Sequence, residues 1–488
     1  MYRIDNVFYH VEYSLPTILT KHHNSMKQIL TLFIFLFFTK ITFPQNAMQF
    51  KVAYAELYAT YDFLEKISDN YPENAFKAEF LKSKYNTEKY KNLIRQIDTL
   101  KMDYAYNFEQ YSPTLKSALA SRSLIEKNLI ESKTVQEFKA KSFGIIPNDE
   151  LSTLSTVIEF YIPIYNELIF QPHKKAFENH LSSINKELLT DKVSKIYNNV
   201  MRFYGTALDK DIPFEVIAYP TIGKSGIGAR AFLNIAVIRF PLNFKSYDVL
   251  FSVMLHEIFH IGYDSQPISL KNNLKNWFYN TQSLNSQYAF LLLNEVLATT
   301  LGNGYAYENL KGQMDPEDWY YVKYVNLFAK EIYPLVGSYL AQGKTIDQEF
   351  IKSYVGIYDS KFSSWSKELD NLMTYRVILS DDIDDTRYFR RNYPYTLHKA
   401  IPIVTVKGLQ EIKQQPLTKV IIIANHHKEK LNLIKNNFSE LKGIKLNPKQ
   451  EFIKTIDLKD RTKLIIINKH TSTVEILMET EFKERRLK

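Results

Sequence analysis

Cysteine is absent from this 488-residue chain. That excludes disulfides, a thiol nucleophile, a lipid-modified mature N-terminal cysteine and any thiolate metal site. Glycine is scarce at 14 residues, against 34 tyrosines and 32 phenylalanines, a balance that favours helix-rich, aromatic-packed structure over a glycine-rich β-fold. Long apolar runs are missing as well. The longest, Ile29 to Phe38 with Thr31 as its one polar residue, falls short of the ~20 residues that span a bilayer. A nucleic-acid motif is also lacking: the net charge of +9 is spread as lysines among acidic residues, which reads as a solvated surface.

What is present is an ordinary globular composition, 45% hydrophobic and 24% charged, in a chain long enough for two or three domains. Near its front, Met26-Lys27 leads into the Ile29–Phe38 run, and Thr39-Lys40 closes it. This is the layout of a secretory signal peptide. It predicts export to a periplasmic or extracellular location with cleavage near Ala47 and no stable membrane span after processing, a signal anchor being the alternative. Residues 1–25 read as an upstream extension.

From Phe50 to Gly205 the apolar periodicity is helical, in segments such as Tyr54–Ser68, Lys89–Met102, Leu151–Ile162 and Ile184–Tyr204, with breaks at Pro72, Pro113, Pro147 and Pro163. His173 and His180 there stand two helical turns apart, too far for a shared metal, and read as surface or packing residues. Strand patterns follow at Phe214–Tyr219 and Ala229–Phe240, joined as a hairpin by a glycine-containing turn. The Gly223-Lys224-Ser225 sequence in that turn is not a phosphate loop, because the motif needs glycine where Ala218 stands and a helix where a strand is expected. Helices resume at Gln287–Leu301, Tyr320–Tyr333 up to Pro334, and Asp347–Leu372. Beyond Pro402, short strands at Ile403–Val406, Lys419–Ala424, Phe452–Ile456 and Leu464–Ile467, with a helix at Lys428–Leu441, predict a small α/β module. The adjacent His426 and His427 there diverge and do not suggest a metal site.

The chemistry concentrates in Met254–Gly262, where His256, Glu257 and His260 form H-E-x-x-H. On a helix, residues four apart share a face, so both imidazoles can address one metal ion while Glu257 flanks the same point. The surroundings are helical, with Ser246 as a cap, Asp248 in the first turn, apolar residues on nearly every side and Gly262 as a stop. Burial of two histidines and a glutamate in such a helix requires partners for them. A third ligand is offered by Glu295, the only acidic residue of the next apolar helix, which Gly302 closes and in which the small Ala298 permits a close approach. Asp264, expected just past the end of the first helix, ranks below it. Three ligands and one open position let zinc lower the pKa of a water towards ~7, with Glu257 as general base and then acid. Tyr375, Arg376 and His398 are candidate donors to the oxyanion.

These residues resemble the gluzincin metallopeptidases, thermolysin-type zincins that join H-E-x-x-H to a glutamate on a following helix. Asn294-Glu295-Val296-Leu297-Ala298-Thr299 is similar to their N-E-x-x-[SA]-D segment, and the resemblance spans residues 214–302. It implies His256, His260 and Glu295 as zinc ligands, Glu257 as the catalytic acid/base and Ala229–Phe240 as the edge strand that pairs with an extended peptide. Thr299 stands where that group often has an aspartate to orient the first histidine, so another acceptor is needed. The metzincin pattern fits less well, since its third histidine would fall at Gln266 and its glycine at Tyr263.

The expectation is thus a mostly helical α+β protein: an extension and signal over 1–47, a helical region over 48–205, a zincin-like region over 206–400 and an α/β region over 401–488. Its expected activity is that of an exported zinc metallopeptidase, with one zinc per chain and a peptide or protein substrate. A non-catalytic cell-envelope binding protein with a structural zinc is the alternative.

Overall fold

The computed structural model describes residues 48–107, 118–188, 191–209, 211–223, 226–393 and 397–482. The expected signal segment, Pro113 and the Lys224-Ser225 pair lie outside them. The architecture is mostly helical α+β, with two principal sheets embedded among helices. Among the described residues no helix is long and apolar enough to cross a membrane.

The first sheet carries the site. Its strands are β1 (Phe50–Ala53), β2 (Phe214–Thr221), β3 (Gly228–Phe232) and β4 (Ile235–Pro241), in the order β1-β2-β4-β3. β1, β2 and β4 run parallel, and β3 pairs antiparallel with β4 along the open edge. This corrects the sequence reading in two ways. Ala229–Phe240 is two strands folded back on each other, and the hairpin turn lies at Leu233-Asn234 rather than at the glycines before it. Leu233 takes φ +53° there, a left-handed conformation that a non-glycine side chain adopts at some cost. The expected edge strand shortens accordingly to β3.

Period-two alternation divides this sheet between two cores. Val216, Ala218, Ala236 and Ile238 face the helices of the motif. Ile217, Tyr219, Ile235 and Val237 face the N-terminal helices, among them α1 (Glu56–Ile67), α2 (Ser121–Glu131) and α3 (Asn148–Tyr165). The next helix of importance, α4 (Asp191–Tyr204), contributes Val200, Met201 and Tyr204 to the first core. His180 is a packing residue as expected, its ring nitrogens bonded to the Tyr247 hydroxyl at 2.9 Å and to the Leu242 carbonyl at 3.0 Å.

Three helices build the centre of the molecule: α5 (Tyr247–Asp264), α6 (Ser286–Thr299) and α7 (Lys323–Ala341). Gly262 does not stop α5, which continues to Asp264, so Asp264 is the last helical residue rather than one past the end. The glycine serves packing instead. A Cβ on it would meet Met201 Sδ and Cε at 2.8 and 2.5 Å. Ser246 occupies the N-cap position without a side-chain cap bond. The expected breaks at Pro163 and Pro334 also fall inside helices, α3 and α7. Each proline removes one backbone donor, but in α7 the buried stripe of Phe328, Ala329, Ile332, Val336 and Leu340 runs past Pro334 and holds the helix together.

The second sheet begins at Tyr375, ahead of the pattern change near 400. Its strands β5 (Tyr375–Ser380), β6 (Leu397–Pro402), β7 (Thr418–Ile423), β8 (Phe452–Asp457) and β9 (Lys463–Asn468) lie in the order β8-β9-β7-β5-β6. All are parallel except β8. Three of the expected C-terminal strands stand where they were placed. The fourth does not: Ile403 takes φ +67° just after β6, and Val406 opens a helix capped by Thr405.

Candidate metal centre

α5 presents His256 and His260 on one face, and α6 crosses behind them with Glu295. The Nε2 atoms of the two histidines are 3.2 Å apart. A Glu295 carboxylate oxygen lies 3.8 Å from His256 Nε2 and 3.5 Å from His260 Nε2. Ligand atoms ~2.0–2.1 Å from a tetrahedral zinc are separated by about 3.3 Å, so the three atoms already stand at the corners of such a site. Among the described residues no other group of three His, Asp or Glu side chains converges in this way. Asp264 is not part of it, and its carbonyl accepts from Lys271 Nζ.

The histidine tautomers suit a metal. His256 Nδ1 meets Asn303 Oδ1 at 2.9 Å, and His260 Nδ1 meets Asn294 Oδ1 at 2.9 Å. An amide oxygen only accepts, so each Nδ1 carries the proton and each Nε2 keeps its lone pair facing the shared point. Burial, reinforced by the neighbouring His260, lowers the His256 pKa to about 4, which leaves the ring neutral and able to ligate at neutral pH. The donor set, its tautomers and its spacing therefore fit zinc.

Asn303 supplies the acceptor that Thr299 cannot. Its position follows from a wide turn, Thr300–Ala306, in which α6 loosens to π-type hydrogen bonding. Gly302, expected as the end of the helix, lies inside this turn against the backbone of His256, where a Cβ would stand 2.6 Å from Cα and Cβ and 2.8 Å from N. The closest approach of the two helices is thus made at Gly302 rather than at Ala298. Gly304 does the same for Trp319, whose ring a Cβ would meet at 2.8 Å.

That tryptophan anchors the residue the sequence did not mark. Trp319 Nε1 donates to the Asp315 carbonyl at 3.1 Å, and its backbone N–H donates to Asn326 Oδ1 at 2.8 Å. Tyr320, next to it, stacks on His256 with ring centroids 5.7 Å apart and 14° between planes. Its hydroxyl hydrogen-bonds Glu295, and burial together with that carboxylate raises its pKa. The sequence pattern begins a helix at Tyr320, but α7 starts at Lys323 and leaves Tyr320 in the segment before it. The expected oxyanion donors are placed elsewhere. Tyr375 and Arg376 are residues of β5, and Arg376 is fully buried with its guanidinium committed to the Met373 and Phe389 carbonyls and to His398 Nδ1.

Glu257 is partly exposed and opens on a cavity of about 390 Å³ between β3 and α1. Comparison with known proteins gives no match: no family model fits the chain, and no curated protein or solved structure is similar to it.

Proposed function

We propose that this chain is a zinc-dependent metallopeptidase, with His256, His260 and Glu295 holding the metal and Glu257 as acid/base. The observation that carries this is the pairing of a largely buried N, N, O donor set, its tautomers fixed by Asn303 and Asn294, with a carboxylate on the helix of the two histidines that opens on a cavity. Zinc in such a set supplies Lewis-acid polarisation of a carbonyl and a water of lowered pKa. Glu257 takes the proton of the attacking water and delivers it to the leaving amine. Tyr320, its hydroxyl already beside Glu295 and its ring fixed on His256, is the group placed to donate to the developing oxyanion. β3, with one side paired to β4 and the other open, can add an extended peptide as a further strand.

The deciding experiment is Glu257→Gln. It should keep fold and zinc content while turnover on peptides falls about 10²- to 10⁴-fold. Equal turnover would overturn the mechanism. Wild-type protein that holds zinc fully yet cleaves no peptide, long or folded, would favour a binding protein with a structural zinc. Export belongs to the same proposal, and the mass of the mature protein checks whether residues 26–43 have been removed.

A further inference from the structure

The cavity beside Glu257 carries a charge pattern that the proposed hydrolysis does not use. Gly228 and Arg239 are paired across β3 and β4 and lie on the same face of the sheet, the one turned towards the N-terminal helices. A Cβ on Gly228 would stand 2.3 Å from Arg239 Nε and 3.1 Å from Cζ. The arginine therefore runs across the edge strand through the notch that glycine leaves, towards the side where a substrate strand would add. Lys66 of α1 lines the same cavity, and both residues also line an adjoining one of about 280 Å³.

Glu257, which also lines the cavity, is taken by the proposed hydrolysis, and two of the other charges are already matched. Glu65 accepts from Arg122 at 2.7 Å and from the Tyr61 hydroxyl at 2.7 Å. Arg230 is paired with the buried Glu126 and bonded to the Tyr58 hydroxyl. Asp62 remains, 3.8 Å from Lys66 and in the field of Arg239. With Glu257 left to the attacking water, two cations thus face one further carboxylate, and both are bonded to Tyr71, a neutral phenol. Burial raises the pKa of Asp62 against the opposing pull of Lys66 and Arg239. An extended peptide paired to β3 alternates its side chains between the two faces of the sheet, so every second one points into this cavity.

We propose that the cavity lined by Lys66 and Arg239 is a subsite for a substrate carboxylate, which makes the enzyme selective for peptides with an acidic group near the scissile bond. The inference rests on the peptidase reading. Its selectivity follows from a charge-assisted hydrogen bond of Arg239, a planar donor suited to carboxylates.

The test compares zinc-loaded wild type, Arg239→Gln and Lys66→Met on matched peptides. One set carries internal Glu with an amidated C-terminus, a second has Gln in its place, and a third has Gln with a free C-terminal carboxylate. Folding of each variant is checked by its melting curve. Wild type should prefer the Glu peptide over Gln by about tenfold or more in kcat/KM, and each variant should lose most of that ratio. Preference for the free terminus instead would assign the carboxylate to the chain end. A wild-type ratio near one, a ratio unchanged in both variants, or preference for Lys or Arg would overturn the subsite. If wild type cleaves none of the peptides, calorimetric binding of the first two sets decides separately. Tighter binding of Glu than Gln, lost in the variants, supports the subsite although the peptidase reading has failed, and equal binding overturns it.

Discussion

A close contact beside the candidate metal centre is the touch of Gly302 on the backbone of His256, and Gly302→Ala tests it. An added Cβ would lie 2.6 Å from His256 Cα, about 0.8 Å inside ordinary van der Waals contact. The obstacle is main chain in the middle of a buried helix, so no side-chain rotation relieves it. Either α5 or the Thr300–Ala306 turn must move, at a cost typical of overpacking, ~1–3 kcal/mol. Movement of that turn carries Asn303 away from His256 Nδ1 and changes the 3.8 Å separation between His256 and Glu295. Loss of such an orienting partner weakens metal binding by roughly 10- to 100-fold. The assay is competition for zinc against a chelator of known affinity, with thermal unfolding of the metal-free protein alongside it. Gly337→Ala is the control: it lies within α7 with nothing within 4 Å of its added Cβ, and should leave zinc affinity unchanged while stabilising the fold by about 0.5–1 kcal/mol. If Gly302→Ala binds zinc and melts as wild type does, the close approach is not a constraint on the site. If it melts lower but binds zinc normally, the strain is absorbed away from His256 and the coupling argued here is wrong.

Other expectations concern the ligands, the turnover and the response to pH. Glu295→Ala should reduce zinc content in purified protein far more than Asp264→Ala, since only Glu295 converges with the histidines, and the reverse order by elemental analysis would refute the ligand set. Tyr320→Phe should retain zinc and lose about 10²- to 10³-fold in kcat with little change in KM, the size associated with one oxyanion donor; an unchanged kcat would remove Tyr320 from the mechanism. Burial, aided by Arg376 and Arg390, lowers the pKa of His398 to about 4, and its Nδ1 accepts from Arg376 Nε at 2.8 Å. The unfolded chain then binds a proton near pH 6.5 that the folded chain refuses until about pH 4, so this residue's contribution to stability is present above pH 6.5 and is lost as pH falls through that window. His398→Asn should flatten the pH dependence of urea unfolding between those values, and an unchanged slope would contradict the assignment.

The parts of the fold that were legible in the sequence are those where a single period dominates. α5 and α6 are apolar on nearly every side because both are buried, and the runs Val420–Ile423 in β7 and Leu464–Ile467 in β9 are continuously apolar because a central strand is covered on both faces. Local punctuation misled where packing outweighed it. Pro334 sits inside α7 because the buried stripe continues beyond it, and Gly262 and Gly302 read as helix stops although both are sites of close approach. A glycine needed for left-handed backbone and a glycine needed for space look alike in one dimension. The β3–β4 turn escaped notice because it uses Leu233 at φ +53° with Asn234, where glycine would have announced it.

The site divides along the same line. His256, Glu257 and His260 could be read because one helical turn fixes their relation, and Glu295 because it is the lone acid of an apolar helix. Asn294 next to it was visible only as part of a family-like string, with no hint that its amide oxygen would hold His260. Asn303 and Tyr320 could not be read at all, because their roles depend on how far the chain is unwound after Thr299 and on where Trp319 lodges. Both consequences trace to Gly302 and Gly304, two residues apart, one against His256 and one against Trp319. A regular α-helix advances 100° per residue, whereas the wider π turn changes that angle and brings Gly302 and Asn303 against His256 and Gly304 against Trp319. The orienting acceptor and the seating of Trp319 beside Tyr320 are therefore properties of one irregular turn, and they should be gained or lost together in any variant that restores regular helix across Thr300–Ala306.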